Sequence, residues 1–204
     1  RVLFRSGIYH AMNKGLKVAT GDYLLFLNSG DELRNPEVLK QAVEHLEGAD
    51  LISFDLEVRD GGHTFIKSYP DQPNFRTMLN DSLPHPATFI RKSILEAAGG
   101  YDESMKIVSD WGFFITALCK YNARYKHISF PLSVFFTGGI SSQQKYVELL
   151  AKEKQSVIEN EFALFSDLAK ESTELHQYRF IFQHSKVIRL LKKAGLIKDP
   201  FKNI

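Results

Sequence analysis

Tyr23-Leu24-Leu25-Phe26-Leu27 runs straight into Asn28-Ser29-Gly30-Asp31-Glu32-Leu33. An apolar run closed by small residues and carboxylates reads as a buried strand with a polar end. Such a strand carries oxygen ligands out of a dry sheet, to a place where a divalent cation and a phosphorylated ligand can sit. Taken alone, the same residues also describe a core strand followed by an ordinary turn, because Asn, Ser, Gly and Asp are turn formers. The neighbouring segments decide between the two.

Upstream, Ile8, Met12, Leu16 and Ala19 recur at helical spacing and predict an amphipathic helix over 8–19. Gly21-Asp22 turns the chain into the strand 23–28. Downstream, Pro36 opens a second helix, about 36–47, in its favoured first-turn position. Leu51 to Val58 reads as a strand, Gly61-Gly62 as a turn, and Thr64 to Tyr69 as the hairpin partner. The proline-rich stretch 70–86 reads as an ordered loop with a short helix near Phe75–Leu79. Ala87 to Arg91 is a strand, Lys92 to Ala98 a helix closed by Gly99-Gly100, and Trp111 to Lys120 a buried helix with Ser109 as its N-cap. Ile128 to Phe136 is a last strand, ended by Gly138-Gly139. Strands alternating with helices predict an α/β fold, and the hairpin makes its sheet mixed. Beyond Ser142 the texture changes. Val147, Leu150, Lys154, Val157, Ile158, Phe162 and Phe165 predict one long amphipathic helix, and Leu175 to Leu191 a second. Residues 142–204 therefore read as a helical hairpin appended to an α/β unit.

The 204 residues, 44% hydrophobic and 12% aromatic, suit one globular domain with a real core. With 26 basic against 24 acidic residues, the charge balance gives no reason to expect a nucleic-acid partner. One cysteine, Cys119, excludes an internal disulfide, and its apolar neighbours predict a buried thiol. There is no apolar run long enough to span a bilayer. The setting expected is cytoplasmic. The basic end of the chain, with Lys186, Arg189, Lys192, Lys193 and Lys198 beside Phe180, Ile181, Phe182, Leu190 and Leu191, reads as a solvated helix face. Its alternative is a peripheral contact with the inner face of an anionic membrane.

Two carboxylates invite chemistry: Asp31 at a strand end and Asp110 at a helix start, beside Trp111. A lone Asp at a helix start usually caps it, but Ser109 is available for that role, which frees Asp110 to face a cleft. His85, between Pro84 and Pro86, sits in a rigid loop before a strand. No Cys/His spacing points to zinc. No Gly-x-Ser-x-Gly elbow and no Gly-Lys-Ser/Thr phosphate loop occurs, which leaves serine hydrolases and P-loop enzymes unsupported.

The order of the pieces carries more than any one of them. Gly7-Ile-Tyr-His-Ala-Met-Asn-Lys-Gly15 comes first, then Ala19 to Asp31, then Pro84-His-Pro-Ala-Thr-Phe-Ile-Arg91, then Gly99-Gly-Tyr-Asp-Glu103, then Ser109-Asp-Trp111. Over about residues 7–141 this series resembles the family 2 glycosyltransferases, which have the GT-A fold. The helical segment 142–204 lies outside the resemblance.

The resemblance implies an inverting enzyme that moves a sugar from a nucleotide-diphospho-sugar donor to a hydroxyl of a saccharide or lipid-linked acceptor, in cell-surface polysaccharide or glycoconjugate assembly. Asp31 matches the last carboxylate of a D-x-D-like cluster that holds Mg2+ or Mn2+ against the diphosphate. Asn28 stands where an earlier Asp is common, and Ser29 lies between. Asn13 and Lys14 match a helix that borders the nucleotide pocket. Asp110 matches the catalytic base, with Trp111 after it. His85, Gly139 and Ser141 fall in loops near donor or acceptor. The family's first strand and base-gripping loop would precede Gly7, so the domain is expected to be N-terminally cut, with residues 1–6 a scar. The absent loop and Asn28 also admit a second reading, a degenerate relative acting as a binding or interaction module.

Overall fold

The computed structural model describes residues 7–139, 143–194 and 196–198. The expectations for residues 1–6 and for Ser141 lie outside the described residues. Helix α1 spans Ile8–Val18 and buries Tyr9, Met12, Asn13 and Leu16, the face that the apolar spacing predicts. The strand expected at 23–28 pairs only at Tyr23–Leu24 (β1); residues 25–28 have no ladder partner, and Phe26 instead packs edge-on against Tyr101 with ring centroids 5.4 Å apart. A short strand β2 follows at Glu32–Leu33, and the helix expected at 36–47 is one of six residues, α2, Val38–Val43.

The sheet is organised around β3, Leu51–Asp60. It forms the predicted hairpin with β4, His63–Lys67. It pairs antiparallel with β5, Thr88–Arg91, and parallel with β6, Tyr125–Phe136. The path runs β1-β5-β3-β6-β2, so the sheet is mixed, as expected. Register between β3 and β6 jumps at Phe54–Leu56, where Pro131 stands opposite Asp55. A proline has no N–H to give the ladder, so a bulge there costs the sheet no hydrogen bond.

Helices cover both faces. One apolar layer joins Val38 and Ala42 of α2 to Ile52, Phe54, Phe89 and Leu132 of the sheet. The other joins α1 to α3 (Phe75–Asn80), α4 (Lys92–Ala97) and α5 (Ser109–Cys119). Val157, Ile158 and Phe162 belong to this second layer and come from α6, Val147–Glu161. Gly112 lets α6 approach α5: a Cβ there would lie 3.3 Å from Val157 Cγ2. The long helix expected through Phe165 ends at Glu161, and α7 (Ser166–His184) and α8 (Lys186–Lys193) follow, the break at Ser185 supplying the N-cap of α8. Cys119 is exposed at the end of α5, against the expectation of a buried thiol, because the apolar face of that helix is spent one turn earlier.

Candidate active site

Four separate segments meet at the C-terminal end of β6. The first is the turn after the informative strand. Asp31 N–H donates to Asn28 O at 3.0 Å, and Gly30, at φ +100°, supplies the positive dihedral that this tight reversal requires. The Asp31 carboxylate then reaches back and accepts the Asn28 backbone N–H at 2.9 Å. Burial pushes the Asp31 carboxyl above the usual carboxylate range, opposed by that N–H and by His85.

The second segment is the loop carrying His85. Pro84 O accepts from Ala87 N and from Thr88 Oγ1, the latter at 2.8 Å, and Thr88 Oγ1 also lies 3.1 Å from Ser53 Oγ on β3. Ser133 Oγ on β6 donates to Pro86 O. His85 is thus fixed to two central strands. Its Nε2 is 2.7 Å from Asn28 Nδ2, an amide that only donates, so Nε2 accepts and the proton sits on Nδ1. That Nδ1 lies 3.6 Å from Asp110 Oδ2, while Nε2 lies 3.6 Å from Asp31 Oδ2. The imidazole therefore lies between the two carboxylates singled out in the sequence.

The third segment is the start of α5. Ser109 is not the cap; it is the first helical residue, with its Oγ buried and without a hydrogen-bond partner. No side chain among the described residues caps α5, and the segment leading into it is held from α6. Glu153 accepts from the N–H groups of Lys106 (2.8 Å), Ile107 (2.9 Å) and Val108 (3.2 Å). A carboxylate bonded to several N–H groups ahead of a helix is a strong restraint, because each bond is charge-assisted. Trp111 Nε1 donates to Met78 O at 2.6 Å and ties the same turn to α3.

The fourth segment is α1. Tyr9 OH lies 2.6 Å from Ile107 O and 2.9 Å from Asp110 Oδ1. Burial, reinforced by the nearby Asp110 charge, pushes the phenol far above its ordinary value, so Tyr9 remains a donor at any working pH. It holds one oxygen of Asp110 while the other faces His85.

These segments line a cavity of about 680 Å³ that includes Asn28, Ser29, Asp31, His85, Asp110 and Gly139. Asn13 and Lys14 are not in its wall. Asn13 is buried, and its amide is consumed by Tyr101 N, Tyr101 O and Glu103 Oε1, all within 2.9 Å. Lys14 faces solvent on the opposite side of the turn. The structure therefore does not bring these two into this cavity with Asp31. Trp111 lines a second cavity, of about 420 Å³, which shares His85, Ile107, Asp110 and Phe135 with the first. Tyr9 and Glu153 were not anticipated. Lys154, a second-cavity residue, carried a visible signal: it interrupts the apolar stripe Leu150, Val157, Ile158 on α6.

Among the described residues no group of three His, Cys, Asp or Glu side chains could hold a metal ion. The oxygen donors near the turn are one carboxylate, Asp31, and the side-chain carbonyl of Asn28. Such a set suits a cation that keeps waters and takes its other ligands from a bound diphosphate, as Mg2+ does, and does not suit a cation held by protein alone.

The sequence profile described as Glycosyl transferase family 2 matches residues 2–96. An uncharacterized glycosyltransferase of Mycobacterium tuberculosis is 36% identical over 117 residues, which are 54% of this chain and 44% of that one. A PGL/p-HBAD biosynthesis glycosyltransferase of the same organism is 30% identical over 130 residues, 60% of this chain and 48% of that one. The chain thus spans about half the length of the curated relatives it matches. Among solved structures, residues 1–349 of S. aureus TarS in complex with UDP superpose with a TM-score of 0.56 at 19% identity, over 89% of this chain and 53% of that chain. That likeness shows the GT-A-type mixed sheet.

Proposed function

We propose that this chain forms the transfer site of an inverting glycosyltransferase, using a nucleoside diphosphate sugar as donor and a saccharide or lipid-linked hydroxyl as acceptor. The observation that carries the reading is the meeting of Asp31, His85 and Asp110 in the lining of one cavity, with the imidazole 3.6 Å from each carboxylate. The UDP bound to the structurally similar TarS supports a nucleotide donor.

In this reading Asp31 and the Asn28 carbonyl would hold Mg2+ or Mn2+ at the diphosphate end of the donor; the cation would supply charge neutralisation for the leaving diphosphate. Asp110 accepts the proton of the acceptor hydroxyl as that oxygen attacks the anomeric carbon, on the face opposite the departing nucleoside diphosphate. A single displacement inverts the configuration. Tyr9 holds Asp110 Oδ1 in place, so Oδ2 is the oxygen that meets the acceptor. His85 donates from Nδ1 towards Asp110 and fixes the spacing between the two carboxylates. Gly138, at φ +123°, and Gly139 bring backbone to the rim without side-chain bulk.

Asp110→Asn tests the assignment. Transfer from UDP-, GDP- and dTDP-sugars with Mn2+ should fall by a factor of about 10² to 10⁴, while calorimetric binding of the nucleotide stays. Undiminished turnover refutes the role of Asp110. The proposed place of action is the cytoplasmic side of a membrane, with α8 as a peripheral contact; no helix among the described residues is long and apolar enough to cross one.

A further inference from the structure

The second cavity holds a cation with an unusual environment. Lys154 reaches it from α6 and places its ammonium 4.6 Å from the centre of the Trp111 ring. It makes no ion pair among the described residues. The other cation of this cavity, Lys67, is already paired with Asp81 at 2.8 Å. The carboxylates nearest to Lys154 are Asp81 and Asp110, and both act on it from beyond ion-pair distance. Burial pulls the Lys154 ammonium below its ordinary value, which marks a charge stripped of water and incompletely compensated. The ring face offsets part of that cost. An anion entering the cavity would offset the rest, because a desolvated, unpaired charge gains most from a new partner.

We propose that this cavity is the acceptor subsite, and that Lys154 selects an acceptor bearing a carboxylate or phosphate next to its reactive hydroxyl. The inference rests on the transfer reading given above. Its geometry follows from the shared wall: Asp110 and His85 border both cavities. An acceptor anchored at Lys154 therefore presents its hydroxyl to Asp110 from the side opposite the Asp31 turn. With Lys67 engaged by Asp81, Lys154 is the anchoring cation of the cavity, and a neutral sugar would leave it unpaired.

Trp111 is the single tryptophan of the chain, so its fluorescence reports on Lys154 directly. The protein is titrated with glucuronate and with glycerol 3-phosphate, and in parallel with glucose and glycerol. A saturable change in Trp111 emission with the anions, absent with the neutral pair, is the expected result; the stronger of the two anions names the preferred group. Lys154→Met should weaken that response about tenfold or more, and Lys154→Arg should restore most of it. An equal response to neutral compounds, an unaltered response in Lys154→Met, or no response in the wild-type chain overturns the proposal. UDP binding measured calorimetrically on the same samples separates the two readings. An anion response without any UDP affinity removes the transfer reading and, with it, the acceptor role of this cavity.

Discussion

Replacing Glu153 with Ala should loosen the segment that carries Asp110. Glu153 accepts three backbone N–H groups, at 2.8, 2.9 and 3.2 Å. The Lys106 N–H is exposed and regains water when the carboxylate is removed. The Ile107 and Val108 N–H groups are partly buried and do not fully regain it. Charge-assisted bonds of this kind contribute about 1.5–3 kcal/mol each, and the carboxylate ahead of α5 adds about 0.3–1 kcal/mol through the helix dipole. Counting the two partly buried bonds at the low end and discounting for shared solvation, the loss should be about 2–4 kcal/mol. For a chain of this size that lowers Tm by roughly 4–16 °C. Urea unfolding followed by circular dichroism, with the slope checked for constancy, measures it. Glu153→Gln keeps one acceptor oxygen and should fall between Ala and wild type. A loss below about 0.5 kcal/mol for Glu153→Ala, the range of an ordinary surface substitution, would refute the claim that α6 organises the approach to Asp110.

Three further outcomes follow from the geometry. Gly100 sits at φ +83°, and a Cβ there would meet Asn13 Oδ1 at 2.7 Å, so Gly100→Ala should cost more than about 2 kcal/mol in the same unfolding assay and should release the Asn13–Tyr101 clasp. Hydrogen bonds from Arg124, with charge from Arg124 and Arg91, hold the Asp50 carboxyl below its unfolded value of about 3.9. Its stabilisation is complete above that value and disappears as pH falls through the lower folded value; Asp50→Asn should therefore flatten the acid limb of stability against pH, and an unchanged acid limb would contradict the pairing. Finally, α8 carries four cations in eight residues, with Val187 and Leu190 exposed. At about 1 kcal/mol per cation on an anionic surface, phosphatidylglycerol vesicles should sediment the chain, and a form ending at Ser185 should stay in solution; equal sedimentation of both removes the membrane role.

Much of the fold is written in local signals. The period of Ile8, Met12 and Leu16 placed α1, and Gly61-Gly62 placed the hairpin, because both depend on neighbours in sequence. The strand expected at 23–28 pairs at two residues only: apolar letters do not show that a segment finds a ladder partner, and Phe26, half-buried, packs on an aromatic ring instead while Leu27 is exposed. At the site, Asp31, His85 and Asp110 were legible from their turn, proline and helix-start contexts. Their mutual distances were not, since they span 79 residues of chain by their own numbering. Asn13 illustrates the opposite error. A polar residue on a buried helix face resembles a ligand-binding group, yet its whole amide is spent on the Tyr101 turn. Ser109 is the first helical residue and no cap, and the segment ahead of it is held by Glu153, 44 positions later, beyond any local pattern.

The reach of Glu153 bears on the order in which the protein is made. Glu153 follows Ile107 by 46 residues. At translation speeds of about 5–20 residues per second, roughly 2–9 s separate their synthesis. Strand β6 is itself made within that interval, and until Glu153 follows, the turn preceding Asp110 lacks this acceptor for its N–H groups. The nascent chain has its Asp31 turn early and restrains Asp110 only later.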